Sequence, residues 1–162
     1  MNMADPNIEI LHKKTLLGMI ERAPGSTMFG SLFVKYKYSG EVKDVCNNGE
    51  YSCAFFTSSL LTINGYLERP HATVAGLRAK LKKLSFVEVS SLEESEPGDI
   101  VFWEKMLFPN GEANEHVGFI VSKNEAVSTS FKKGCVVRHP INMPGANSDE
   151  PRKVTLLMRV PN

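Results

Sequence analysis

The chain has 162 residues, and 19 Lys+Arg against 18 Asp+Glu leave a formal net charge of +1 with the histidines neutral. That balance argues against a nucleic-acid binder working by phosphate neutralisation, which needs a clustered excess of base. With 42% hydrophobic and 23% charged residues the composition is that of an ordinary globular chain, and a chain this long can hold one core without metal or disulfides.

A single domain over residues 1–162 is therefore expected. No apolar run approaches the roughly 20 residues needed to cross a bilayer. The longest uncharged stretch, 51–66, is broken by Ser, Thr, Asn and Gly. Asp5 and Glu9 occupy the region where a signal peptide would place positive charge and then an unbroken apolar stretch, so a cytoplasmic location is expected. Three cysteines, Cys46, Cys53 and Cys135, cannot all pair within one chain, which favours reduced thiols.

In chain order, Asp5-Pro6 predicts a helix opening, and Ile8, Leu11, Leu16, Met19 and Ile20 follow at roughly helical spacing up to Ala23, before Pro24-Gly25. Residues 31–38 alternate as a strand, and the Asn47-Asn48-Gly49 run predicts a turn. Ser52 is placed to cap a helix over 53–64, which Gly65 ends in a left-handed conformation. A second, amphipathic helix is expected over 71–84, with Val74, Leu77, Leu81 and Leu84 on one face.

From residue 85 the texture changes to short β-rich pieces: SFVEV, DIVFWE, HVGFIVS, EAVSTSF, CVVRHPI and VTLLMRV. Helices first and a strand meander afterwards is the α+β class, with helices packed against an antiparallel sheet. The one loose segment is MPGANSDEPRK, before the last strand.

Cys53 stands where a turn becomes the first turn of an apolar helix. Backbone N–H groups at a helix start favour negative charge, so a thiol placed there is biased toward thiolate. His116 opens the HVGFIV strand, where a side chain can face a cleft, take a proton from a thiol and return it to a leaving group. In EPGD, Pro97 and Gly98 suit the centre of a type II turn that Asp99 closes. Trp103 ends the strand that follows, and the segment 104–115, with Met106, Leu107 and Phe108, is expected to form a loop that either walls the cleft or folds back into the core. Asn47 or Asn48 could offer an amide to an oxyanion beside the Cys53 N–H, or simply form the turn, and Tyr51 could line the cleft or pack on the sheet.

These residues carry a family resemblance. SCAFFTSSLL, EPGDIVFWE and HVGFIVSKNEAVSTS resemble the NlpC-type branch of the papain-like cysteine peptidases and amidases, whose pattern is a Cys opening a helix, a Pro-Gly-Asp turn leading into a strand, and a His-Val-Gly strand. The resemblance covers residues 51–141. It implies a papain-like fold, Cys53 as nucleophile, His116 as general base, and a third polar residue that orients the imidazole. That third position falls at Ser128, where family members more often carry His, Asn or another polar residue, and Asn124, Thr129 and His139 are alternatives. Ser52-Cys53-Ala54 also departs from the Asp-Cys-Ser of many family members that cut cell-wall peptides.

The expected activity is a thiol hydrolase acting on an amide or ester of a peptide-like or acyl small-molecule substrate, with Tyr51, Trp103 and Phe108 as substrate contacts and no cofactor. A papain-like binding module with weak or no turnover and a thiol acyltransferase are the rival readings. Metal binding would have to draw on Cys46, Cys53, His71, His116, Cys135 and His139, none of which forms a C-x-x-C or H-E-x-x-H spacing.

Overall fold

The computed structural model describes residues 7–107, 111–144 and 150–161. Among them the chain forms three helices, a two-stranded sheet and a six-stranded antiparallel sheet, in the α+β class expected from the sequence. No helix among the described residues is long and apolar enough to cross a membrane.

Helix α1 spans His12–Arg22 and buries Leu16 and Ile20. The expected opening at Asp5-Pro6 lies outside the described residues, and residues 7–11 are not helical. Ile10 and Leu11 are 46% and 55% exposed, so their apolar spacing has no core to rest on, and the helix begins where burial does. Strand β1 (Phe33–Lys35) is shorter than the run predicted over 31–38. It pairs with β2 (Val42–Asp44), a strand not expected from the sequence. Asn47 and Asn48 take positive φ, as the expected turn requires.

Helix α2 (Cys53–Ile63) is buried on nearly every side. Its polar residues remain compatible with that burial because Ser58 Oγ donates to the Ala54 carbonyl (2.6 Å) and Thr62 Oγ1 to the Ser58 carbonyl (2.8 Å). Phe56 fixes the helix on the sheet and under the loop before it, with edge-on contacts to Phe119 (6.0 Å) and Phe29 (5.1 Å). Gly65 ends the segment at φ 76°. Helix α3 is Val74–Lys82, not 71–84: Thr73 Oγ1 accepts from the Gly76 N–H (3.1 Å) and starts it, while the His71 N–H is drawn to Ser58 Oγ (2.7 Å).

The main sheet contains β3 (Val87–Glu88), β4 (Ile100–Leu107), β5 (Ala113–Ile120), β6 (Glu125–Ser130), β7 (Cys135–Pro140) and β8 (Val154–Arg159), in the spatial order β3-β8-β4-β5-β6-β7. Strands β4 and β5 run further than expected. Met106 pairs with Asn114 and Leu107 with Ala113, past a register shift that follows Trp103, so residues 104–107 and 113–115 are strand and not loop. Asp99 closes the turn before β4 by accepting from the Glu96 N–H (2.8 Å), and its carboxylate takes two bonds from Arg159 (3.0 and 2.8 Å).

Alternation along the strands gives the sheet two apolar faces. Ile100, Phe102, Val117, Phe119, Val127 and Met158 join the helices in the larger core, and Val101, Trp103, Ile120, Ala126, Ile141 and Leu157 form a second cluster.

Candidate active site

Cys53 is the first residue of α2 and only 9% exposed. Two turns hold it there. Asp44 Oδ1 accepts from the N–H groups of Leu32 (2.9 Å) and Cys46 (3.0 Å), and the Asn-Asn-Gly turn then lies so close to the β6–β7 connection that a Cβ on Gly49 would stand 2.4 Å from the Gly134 carbonyl. Asn47 Nδ2 donates to Glu50 Oε2 (2.6 Å), so its amide serves the turn and not an oxyanion.

Ser52 occupies the N-cap position but does not cap. Its hydroxyl donates backwards to the Gly49 carbonyl (2.8 Å), and no side chain covers the first helical amides. The sulfur takes that place, accepting from the N–H groups of Cys53 and Ala54 and, across the gap to the sheet, of Val117.

That third contact sets Cys53 against the backbone of the residue that follows His116. Residues 117 and 119 of β5 face the helices, so the imidazole of residue 116 lies on the other face, next to Trp103, its β4 partner. The β5–β6 register consists of Phe119–Val127 and Ile120–Ala126 only, and Cys53 reaches the Val117 N–H beyond the end of that ladder. No direct hydrogen bond links the sulfur and the imidazole among the described residues.

On the His116 side three polar groups line up. Ser128 Oγ lies 2.8 Å from His116 Nε2 and 2.7 Å from His139 Nε2, and His139 Nδ1 lies 2.8 Å from the Pro140 carbonyl. Ser128 is 1% exposed. Of the alternatives weighed for its place, His139 belongs to the same chain, Asn124 lies in the exposed turn after β5, and Thr129 alternates to the opposite face of β6.

Trp103 is fully buried, with its ring centroid 5.3 Å from that of His116 and 5.7 Å from that of His139, and its Nε1 donates to the Ile141 carbonyl (2.9 Å). It supports the two imidazoles from below, and the expected substrate contact is corrected to this. Tyr51 is half-buried against Phe131, 5.9 Å between centroids. Phe108 lies outside the described residues.

Arg152 is the contributor that sequence reasoning missed. It is 8% exposed, and its Nε and Nη2 donate to the carbonyls of Glu104 (2.8 Å) and Asn114 (2.5 Å), where the β4–β5 register shifts. Its charge reaches both reactive groups. It precedes β8 in a polar, proline-bounded stretch, and no spacing in the sequence marks it.

Burial pushes the Cys53 thiol above its usual value; the amide contacts and Arg152 pull it back without cancelling that effect. The helix start thus does not produce the lowered thiol expected from sequence. His116 is held well below the usual imidazole range, by burial first and then by the positive charge of Arg152 and by His139. Burial lowers His139 too, against the Pro140 carbonyl, which favours its protonated form. At rest the Cys53 thiol and the His116 imidazole are both neutral. Cys46, fully buried near Asp44 and Cys53, is pushed up to about 11. Among the described residues no group of three or more His, Cys, Asp or Glu side chains gathers as a metal site. No family model matches the chain, and no curated protein matches it.

Proposed function

We propose that the protein is a thiol hydrolase of the NlpC-type, papain-like kind, cleaving an amide or ester through a thioester on Cys53. The observation that carries the reading is the meeting of two distant segments: the sulfur at the start of α2 accepts from the Val117 N–H, immediately after His116 on β5.

His116 has its Nε2 turned to Ser128, so Nδ1 is the nitrogen that serves as base. Because the thiol rests neutral, proton transfer to Nδ1 accompanies attack on the carbonyl carbon. The S–C bond forms, the carbonyl π pair moves to oxygen, and the imidazolium then protonates the leaving amine or alkoxide as its bond to carbon breaks. Water attacks the thioester in turn, His116 takes its proton, and the thiol leaves protonated. The N-terminus of α2 supplies positive potential for the oxyanion. Arg152 favours the thiolate and disfavours the imidazolium, so it assists attack and speeds the return of the proton.

One observation favours a second reading, a binding module with weak turnover: Cys53 is 9% exposed, with burial opposing ionisation of both partners. Pre-steady-state hydrolysis of p-nitrophenyl acetate separates the two. The hydrolase gives a burst of nitrophenolate equal to the enzyme concentration that Cys53→Ala abolishes; a binding module gives none above the Cys53→Ala background.

A further inference from the structure

The Pro140 carbonyl can only accept a hydrogen bond, so His139 Nδ1, 2.8 Å away, carries the proton of that contact. With His139 neutral, its Nε2 is then an acceptor, and Ser128, 2.7 Å away, must donate to it. The Ser128 hydroxyl has one proton and has given it away. Its oxygen can therefore only accept from His116 Nε2, at 2.8 Å, which puts the His116 proton on Nε2 and leaves Nδ1 as a lone pair.

We propose that His139 is a positioning residue: acting through Ser128, and directed by the Pro140 carbonyl, it fixes the tautomer of His116. This rests on the reading of His116 as the general base. Serine in this place carries no charge and could face either way. The second histidine supplies what serine lacks, a fixed acceptor on its far side. It also explains why a neutral hydroxyl serves here: burial, and then Arg152, keep His116 neutral at rest, and the task is to select the nitrogen that holds the proton.

The geometry around the chain of bonds is built to hold it. Ser128 is buried, Trp103 lies against both imidazole rings, and the registers place His139 opposite Ala126, two residues from Ser128 on the same face of β6. The charged or titratable groups whose charge acts on His116 are Arg152 from the segment before β8 and His139 from β7.

The test is ¹⁵N-detected NMR of the histidine side chains at pH 7.5, with acylation of Cys53 measured in parallel. Wild type is expected to hold His139 as the Nδ1–H and His116 as the Nε2–H tautomer. His139→Gln keeps an acceptor toward Ser128 and should keep the His116 tautomer. His139→Phe and Ser128→Ala should turn it into a mixture and slow acylation roughly tenfold. Wild-type His116 protonated on Nδ1 overturns the proposal, as does an unchanged tautomer in a folded His139→Phe protein. The wild-type spectrum decides even where a variant does not fold. If Cys53 is never acylated while both tautomers are as stated, the hydrolase reading fails and the directed chain of bonds stands; an acylated Cys53 with the opposite tautomers gives the reverse.

Discussion

Gly118 faces Ser128 so closely that a Cβ added to it would stand 2.8 Å from the Ser128 Cβ and 2.6 Å from the Val127 carbonyl. The missing side chain is what lets β6 bring its serine under the imidazole two residues earlier on β5. Gly118→Ala should therefore cost about 1–3 kcal/mol through overpacking, and should slow acylation more than the lost stability explains. Urea unfolding and probe labelling of the folded fraction read the two effects separately.

The Asp99–Arg159 pair is predicted to be structural only. Asp99 is 1% exposed, accepts from the turn that starts β4 and takes two bonds from Arg159. Asp99→Asn should destabilise by about 1–3 kcal/mol, leaving the acylation rate per folded molecule unchanged. A lost rate at full folding, measured by circular dichroism beside labelling, would put Asp99 in the chemistry.

The pH dependence follows from the lowered histidines. His116 and His139 have folded pKa values below the unfolded value of about 6.5. Unfolding therefore takes up protons in acid. Their contribution to stability is fully present above that value and is lost as the pH falls through the folded values, by up to about 1.4 kcal/mol per pH unit for each histidine. The thermal midpoint should fall more steeply between pH 7 and pH 5 in wild type than in His116→Gln/His139→Gln. His71, also lowered, remains in both proteins and leaves a residual slope. The acid limb of Cys53 acylation should lie below the usual imidazole range for the same reason.

Arg152→Gln should raise the pKa of both reactive groups, because the guanidinium favours the thiolate and opposes the imidazolium. The acid limb and the alkylation midpoint of Cys53 should both move to higher pH. Movement in opposite directions would mean that the cation acts through the strand register it supports at Glu104 and Asn114.

Where local chemistry dictates structure, the sequence is legible. Helix α2 lies nearly where the apolar run between Ser52 and Gly65 places it, and Asn47-Asn48-Gly49 and Pro97-Gly98-Asp99 form their turns. Cys53 stands at the helix start that the sequence places it in, and His116 in the strand expected around it. What fails is decided by distant partners. The first helix starts where Leu16 and Ile20 find a core, not at the first favourable cap. Residues 104–107 and 113–115 extend β4 and β5 because they pair with each other, which no local pattern announces. Trp103 reads as a cleft residue until its burial beneath two imidazoles is seen. The roles of Arg152 and His139 arise from contacts between strands and have no counterpart in residue spacing.

The most direct measurement of the central claim is the intact mass of the protein after brief exposure to an activated acyl ester, followed by peptide mapping. The account predicts one acyl group, on Cys53 and not on Cys46 or Cys135, in wild type, and its loss in a folded His116→Ala protein. Equal acylation of Cys53 in wild type and His116→Ala, or labelling that favours another cysteine, would contradict it.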